Sequence, residues 1–207
     1  MKLYYSPGAC SVGIHVVLEE IGKPYELAMV PLKDGAQYKP EYVAINPKSK
    51  VPALQRDDGS VLTEWPVIAT WLARTNPQAK LMPTDPEGEI RCLEAMDYIC
   101  GTIHPQGFTR QFRAANFTPN EADQPKVIEQ GKQLAAKYFD VLEKGWKGDT
   151  WLLPSGYSVA DAALFFVEYW ATRRSGMTLP PHLDAHLKAM LARPAVQRAL
   201  QQEGLPA

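Results

Sequence analysis

Cys10 is the residue whose position in this sequence best suits thiol chemistry. It follows a short apolar segment at residues 2–5 and the turn sequence SPG at residues 6–8, and it directly precedes a segment with helical periodicity. A helix N-terminus carries partial positive charge and unpaired N–H groups, which favour a thiolate and lower the pKa of a cysteine. The sequence therefore predicts a reactive thiol there, and a small buried cysteine is the competing interpretation.

The other cysteines, Cys92 and Cys100, do not extend this site into a dithiol or metal motif. Neither lies three residues from Cys10, which argues against a dithiol redox cycle of the thioredoxin type. An odd, small number of cysteines without metal-ligand spacing also argues against a disulfide framework and a zinc site. We expect a reducing compartment and no bound metal.

Three further places carry polar residues that suit either a site or a helix end. Glu64 stands at the start of a predicted helix, where an acid stabilises the helix dipole. His104 lies beside Pro105 toward the end of a long helical pattern, and its charge near neutral pH depends on its surroundings. Ser158 and Asp161 precede a long apolar run with the spacing of a capping box, so we predict a structural role for both.

The bulk composition is that of an ordinary soluble globular protein, with 45% hydrophobic and 22% charged residues. The formal net charge of -1 gives no electrostatic reason to expect nucleic acid or an anionic membrane as a partner. No apolar run approaches the roughly 18–20 residues that span a bilayer, and the N-terminus lacks the apolar core of a secretory signal. We expect a cytoplasmic protein.

The elements that must position these residues fall into two groups. Four strand candidates are present, at residues 2–5, 25–30, 51–55 and 61–62. Apolar residues with helical spacing between 14 and 21 predict a helix that ends at Gly22, and a second helix is predicted at residues 64–73. This order, βαβ followed by ββα, is the plan of a thioredoxin-like α/β domain.

The pattern changes after residue 78. Residues 79–86 belong to a proline-containing stretch with few core positions, which predicts a linker. From residue 87 to 207 the apolar periodicity is helical throughout, and residues 159–170 are apolar on most sides, as in a buried helix. We predict a thioredoxin-like domain at 1–78, a linker at 79–86 and an all-helical bundle domain at 87–207.

Three segments resemble the glutathione transferase superfamily, most closely its bacterial beta class. They are KLYYSPGACS at residues 2–11, NPKSKVPAL at residues 46–54 with LTE at 62–64, and SVADA at residues 158–162. Their order and spacing match across nearly the whole chain. The resemblance implies a homodimer that uses glutathione as a co-substrate, without a metal.

The resemblance also implies roles around the glutathione sulfur and backbone. Cys10 contacts, activates or forms a mixed disulfide with the sulfur, and Val51 pairs with the cysteinyl backbone beside a cis bond to Pro52. Glu64 helps to hold the γ-glutamyl ammonium, while the backbone N–H of Trp65 takes the α-carboxylate at a helix N-terminus. An indole at residue 65 replaces the small side chain that is usual in the family.

Further residues complete the implied site. Lys33 pairs with the glycyl carboxylate, with a solvated loop lysine as the alternative. His104 reaches toward the sulfur end, and Asp97 enters the glutathione site of the partner subunit, at a position where the family often has asparagine. Tyr5 and Ser11 are alternative hydroxyl donors to the sulfur and rank below Cys10.

The implied activity is transfer of glutathione to small hydrophobic electrophiles held by the helical domain. Five aromatic residues are candidates for lining that pocket: Phe108, Phe112, Phe117, Tyr169 and Trp170. We prefer core packing for the last two. Two alternatives stay open: a glutathione-dependent thiol–disulfide oxidoreductase that uses Cys10, and a non-enzymatic binding or regulatory protein, which the unusual Trp65 keeps in view.

Overall fold

Strand β1 (Lys2–Tyr5) pairs with two other strands and anchors the N-terminal sheet. The computed structural model describes all 207 residues. β1 runs parallel to β2 (Glu26–Met29) and antiparallel to β3 (Ala53–Gln55), which pairs antiparallel with β4 (Val61–Thr63). The sheet order β2-β1-β3-β4 confirms the predicted thioredoxin-like plan.

The unit that contains this sheet also has two long helices and one short helix. They are α1 (Ser11–Ile21), α2 (Pro40–Val43) and α3 (Trp65–Thr75), with single 3₁₀ turns at Leu32–Asp34, Ala36–Tyr38 and Pro77–Ala79. α1 ends at Gly22, whose φ of 70° is a conformation that glycine adopts without steric cost. Leu3, Val17 and Ile68 are fully buried, so the core lies between the sheet and the long helices.

The remaining elements before residue 191 are helical, as the sequence predicted. They are α4 (Pro86–Asp97), a π-helical stretch (Tyr98–Phe108), α5 (Thr109–Phe112), α6 (Gln124–Gly145), α7 (Val159–Arg173) and α8 (Pro181–Leu191), with 3₁₀ turns at Ala114–Asn116 and Glu121–Asp123. Every residue of α7 from Val159 to Ala171 is buried, which accounts for its continuous apolar sequence.

The π-helical stretch contains Pro105, which has no N–H to donate to the preceding turn. Wider turns of this type are rare and are frequently found at functional sites. The carbonyl of His104 accepts hydrogen bonds from both the backbone N–H and the hydroxyl of Thr109. Regular α-helix resumes at Thr109.

The last helix, α9 (Pro194–Glu203), differs from the predicted domain boundaries. The chain forms two compact units, Met1–Met82 together with Leu191–Ala207, and Pro83–Met190. The sequence pattern predicted one helical domain at residues 87–207, whereas α9 groups with the first unit because it packs on α1. No helix combines the length and apolar composition that crossing a bilayer requires.

Candidate functional site

The Cys10 thiol lies at the first turn of α1, as predicted. Its Sγ is 3.4 Å from the carbonyl oxygen of Val51, to which the thiol donates. The backbone N–H groups of Cys10 and Ser11 lie close enough to the sulfur to lower the pKa of the thiol. The loop after β1 and the segment before β3 therefore meet at one end of the sheet, with the thiol between them.

The protonation of Cys10 differs from the prediction. Burial raises the pKa of this thiol to about 12, and the N–H groups of Cys10 and Ser11 and the charge of Lys50 lower the pKa only in part. The side chain keeps partial contact with solvent, yet the loss of hydration opposes the thiolate more than the helix N-terminus favours it. The expected depression of the pKa was wrong, and at neutral pH Cys10 is a thiol that donates a hydrogen bond.

The hydroxyl groups of Ser11 and Tyr5, the alternative donors to the sulfur, have other surroundings than the Cys10 thiol. Ser11 is fully buried, and its Oγ accepts from the Ser6 N–H at 3.2 Å and donates to the Ser6 carbonyl at 3.3 Å. The ring of Tyr5 packs against the ring of His15, with centroids 5.9 Å apart. Burial, followed by the charge of Glu203, raises the pKa of Tyr5. Among Cys10, Tyr5 and Ser11, Cys10 is thus the side chain that donates to Val51.

The Val51–Pro52 peptide bond is cis, which confirms the prediction. The preceding backbone is fixed because the Lys50 carbonyl accepts from the Tyr42 hydroxyl at 2.6 Å and from the Asn46 amide at 2.8 Å. No hydrogen bond of the chain uses the Val51 N–H. An unpaired backbone donor at the start of a strand is the group that an added peptide strand uses.

Glu64 and Trp65 begin α3 in different environments. Glu64 has a φ of 69°, a left-handed conformation that is uncommon outside glycine and is often found at functional sites. Its carboxylate is exposed and lies 2.7 Å from Lys48 Nζ, which also donates to Thr63 Oγ1 at 2.9 Å. Trp65 is buried, and its indole N–H donates to the Cys10 carbonyl at 3.0 Å.

Sequence reasoning missed two lysines near this end of the sheet. Lys48 pairs with Glu64, and Lys50 is close enough to Cys10 for its charge to lower the thiol pKa. Their position next to Val51 in NPKSKVP was the available signal. Lys33 is exposed on the 3₁₀ turn Leu32–Asp34 and forms no ion pair within the chain.

In the second unit, His104 lies in an aromatic cluster. Its ring centroid is 4.9 Å from that of Trp170 and 5.6 Å from that of Phe166. The ring of Phe112 lies 5.6 Å from Trp170, and the guanidinium of Arg174 is 4.0 Å above Phe112. A partly exposed histidine and phenylalanine thus border a buried aromatic core.

The other aromatic residues that were candidates for the electrophile pocket differ in how deeply they are buried. Tyr169 and Trp170 are each 3% exposed, which confirms core packing for both, and Phe108 is fully buried. Phe117 is 42% exposed, with the guanidinium of Arg110 4.5 Å above its ring. The available apolar surface near His104 is therefore contributed by Phe112 rather than by the tryptophan.

Asp97 ends α4 on the surface of the second unit. Its carboxylate is exposed and forms no ion pair within the chain. A side-chain carbon added at Gly101 would lie 3.4 Å from Asp97 Oδ1, so the absence of a side chain at residue 101 leaves space beside the carboxylate. Asp97 is thus available for an external cation.

Ser158 and Asp161 form the predicted capping box at the start of α7. Ser158 Oγ accepts from the Ala160 N–H at 3.2 Å, and Asp161 Oδ2 accepts from the Ser158 N–H at 2.7 Å. Asp161 Oδ1 also accepts from the Leu152 N–H at 2.8 Å and lies 3.2 Å from His186 Nε2. Both residues are buried and act in folding.

The predicted site residues therefore fall into two sets. The first unit assembles one group at the end of the sheet: Cys10, Val51, Pro52, Glu64 and Trp65. Tyr5 faces His15 in the same unit, and Lys33 lies on a separate exposed turn. His104 and Asp97 belong to the second unit.

Comparison with known proteins identifies the family. The models of the glutathione S-transferase N-terminal and C-terminal domains match residues 8–75 and 95–194. Glutathione S-transferase GstA of Escherichia coli O157:H7 is 37% identical over 208 residues, which cover 99% of this chain and 100% of that protein.

Solved structures agree with this result. A glutathione transferase homologue from Sulfitobacter with bound glutathione superposes with a TM-score of 0.89 at 30% identity, covering 99% of this chain and 98% of that one. A beta-class enzyme from Sphingomonas chungbukensis superposes with a TM-score of 0.85 at 31% identity over the whole of both chains. The resemblance inferred from the sequence is confirmed, and the chain belongs to the glutathione S-transferase family.

Proposed function

We propose that this protein transfers glutathione to small hydrophobic electrophiles, with the Cys10 thiol donating a hydrogen bond to the glutathione sulfur. The observation that carries the proposal is the 3.4 Å contact between Cys10 Sγ and the Val51 carbonyl oxygen. It places a side-chain donor beside an unpaired backbone N–H, in a family whose Sulfitobacter member was solved with glutathione.

The charges around this end of the sheet fit the tripeptide. Glutathione carries one ammonium and two carboxylates, and the segment offers the acid Glu64 together with the cations Lys48 and Lys50. The Glu64–Lys48 pair is more than half exposed on both sides, so exchanging it for ligand contacts costs at most about 1 kcal/mol. Lys33 supplies a further cation for the glycyl carboxylate.

The proposed conjugation step uses the hydrogen-bond donors at the start of α1. In conjugation the glutathione thiol loses its proton to solvent, the thiolate sulfur forms a bond to an electrophilic carbon, and the leaving group departs with the electron pair of the broken bond. Cys10 and the N–H groups at the start of α1 stabilise the negative sulfur before the attack. The ligand sulfur replaces the Val51 carbonyl as the acceptor of the Cys10 S–H.

The pKa of Cys10 separates this proposal from thiol–disulfide exchange. A nucleophilic cysteine reacts as the thiolate, and burial raises the pKa of Cys10 to about 12, so the thiolate is scarce at neutral pH. A hydrogen-bond donor, in contrast, must keep its proton. The raised pKa therefore favours a supporting role for Cys10 in conjugation over a redox cycle.

The second unit supplies the remaining groups of the proposal. His104 and Phe112 border the aromatic cluster and give an apolar surface for the electrophile. We propose a homodimer in which Asp97, exposed and without an ion pair, meets the γ-glutamyl ammonium bound by the partner subunit. The three free cysteines fit a cytoplasmic location.

The proposal is tested with the wild-type chain. Titration calorimetry with glutathione and with S-methyl-glutathione measures binding, and chlorodinitrobenzene absorbance measures conjugation. We expect glutathione to bind below millimolar concentration and conjugation to saturate in both substrates, with sedimentation showing a dimer. Absence of binding at millimolar glutathione, together with failure to bind a glutathione column, would instead support the non-enzymatic alternative.

A further inference from the structure

Glu203, at the C-terminal end of α9, contacts both the loop before α1 and a histidine within α1. The proposed mechanism gives this buried carboxylate no role. Its Oε2 accepts from the Gly8 N–H at 2.9 Å, and its Oε1 lies 2.9 Å from His15 Nδ1. The side chains of both His15 and Glu203 are fully buried. A carboxylate is costly to remove from water, so its two partners are needed to keep it in this place.

The first partner belongs to the loop that carries the thiol. Gly8 lies two residues before Cys10 and has a φ of 67°. A side-chain carbon at this position would lie 3.5 Å from Leu205, so the chain end after α9 also covers the loop. The Gly8 N–H therefore ties the Cys10 loop to a residue 195 positions away in the sequence.

The second partner orients the carboxylate. Both ring nitrogens of His15 face oxygen acceptors, Glu203 Oε1 at 2.9 Å and Gln202 Oε1 at 2.8 Å. The Gln202 amide N–H in turn donates to Glu19 Oε1 at 3.0 Å, and Glu19 pairs with Arg198 at 2.5 Å. Because the imidazole is held at both ends, it fixes the rotation of Glu203.

We propose that Glu203 is a positioning residue for Cys10: through the Gly8 N–H it sets the loop that holds the thiol against Val51. The expected effect of Glu203 on turnover rests on the proposed function. Its expected effect on the conformation of the loop does not depend on that function. The groups that would hold the ends of glutathione, Glu64 and the lysines, lie on other elements, so loss of Glu203 affects turnover more than binding.

Three variants separate positioning from general stability. Glu203→Ala removes both contacts. In Glu203→Gln the amide oxygen still accepts from Gly8, and the amide group still reaches the His15 ring. Val196→Ala is the matched control, because Val196 is fully buried on the same helix and touches neither contact. Denaturant midpoints show whether the two alanine variants are equally destabilised.

We expect Glu203→Ala to lower kcat for conjugation by about 10- to 100-fold, as small displacements of catalytic groups do, while KM for glutathione changes by less than about threefold. Glu203→Gln should stay within about threefold of wild type in kcat, and Val196→Ala should behave likewise. An equal loss of kcat in Val196→Ala, or an unchanged kcat in Glu203→Ala, would overturn the inference.

Two readouts need no enzymatic activity. The Gly8 amide proton resonance should move upfield in Glu203→Ala, because the hydrogen bond that deshields it is lost, and should move less in Glu203→Gln and in Val196→Ala. The rate of Cys10 alkylation should change only in Glu203→Ala. If the wild type does not conjugate glutathione, the proposed function fails, and these two measurements alone decide the inference: an unmoved Gly8 resonance rejects it.

Discussion

The indole N–H of Trp65 donates to the Cys10 carbonyl at 3.0 Å, so the residue that departs most from the family pattern supports the backbone that carries the thiol. Trp65 is 5% exposed, and its ring is therefore part of the core of the first unit. The large side chain that raised doubt about glutathione binding is accommodated as a structural contact to α1.

Replacing Trp65 by phenylalanine tests this contact, because an aromatic ring stays in the core while the indole N–H donor is removed. We expect a loss of about 1 kcal/mol in the free energy of unfolding, the usual contribution of one hydrogen bond, and a lower kcat for conjugation. Urea unfolding and steady-state kinetics measure both. Trp71→Phe on the same helix is the control; equal losses in the two variants would show that the bond to Cys10 has no special role.

Substitution of Cys10 tests the hydrogen-bond donor. Cys10→Ala should lower kcat/KM with chlorodinitrobenzene by about 10- to 100-fold, since a hydrogen bond to a charged acceptor contributes about 1.5–3 kcal/mol. Cys10→Ser, which keeps an O–H donor, should retain most of the activity. If both variants are equally inactive, Cys10 acts as a nucleophile, and reduction of glutathionyl mixed disulfides becomes the assay of choice.

The pH dependence of Cys10 alkylation follows from burial. Because burial raises the pKa of Cys10 to about 12, the thiolate fraction should increase with pH through the entire range from 7 to 10. Iodoacetamide labelling followed by mass spectrometry should show a rate that is slow at pH 7 and still rising at pH 10, in contrast to a free cysteine peptide. A plateau below pH 8 would contradict the raised pKa.

The Glu64–Lys48 pair allows ligand binding to be separated from stability. Glu64→Gln should raise KM for glutathione by about tenfold, because the ammonium loses its carboxylate partner, which is worth about 1.5–3 kcal/mol. The unfolding free energy should change by less than about 0.5 kcal/mol, since the pair is exposed. Lys48→Gln is the control and should leave stability equally unchanged, whereas a large loss of stability in either variant would argue for a structural pair.

His186 is held between two buried carboxylates, Glu168 at 2.8 Å and Asp161 at 3.2 Å. Burial lowers the pKa of His186, but the charge of Glu168 and the hydrogen bonds to Asp161 and Glu168 raise it overall to about 10. The stabilisation that the charged ring provides is thus complete below the unfolded pKa of about 6.5 and is lost as pH rises toward 10.

We expect His186→Asn to lower the unfolding free energy by about 3–5 kcal/mol at neutral pH, because it leaves buried carboxylates without their cation. Denaturant titrations between pH 6 and 10 should show a decline in wild-type stability, and the part of it due to His186 should be missing from the variant; Glu168, whose pKa burial raises to about 7, contributes in both. His182→Asn, which breaks the more exposed pair with Glu143, should cost less than about 1 kcal/mol. An equal loss of unfolding free energy in the two histidine variants would contradict the idea that burial makes the His186 pairs more important.

Local signals in the sequence determined the elements and the type of chemistry. The cis bond before Pro52 was implied by the family resemblance of the surrounding motif, whereas the residues themselves mark two helix ends: Gly22 the end of α1, and Ser158 with Asp161 the start of α7. These features depend on neighbouring residues, through backbone conformation and short-range hydrogen bonds, so one segment is enough to predict them. The position of Cys10 at a helix start was available in the same way.

Only the tertiary structure decided the protonation of Cys10 and the partners of its loop. The helix N-terminus alone predicted a thiolate, whereas burial by distant segments raised the pKa to about 12. Trp65 and Glu203 reach the loop from 55 and 195 positions away, and neither contact leaves a periodic or spaced pattern. Desolvation and long-range hydrogen bonds depend on which surfaces meet, and a linear pattern does not encode that.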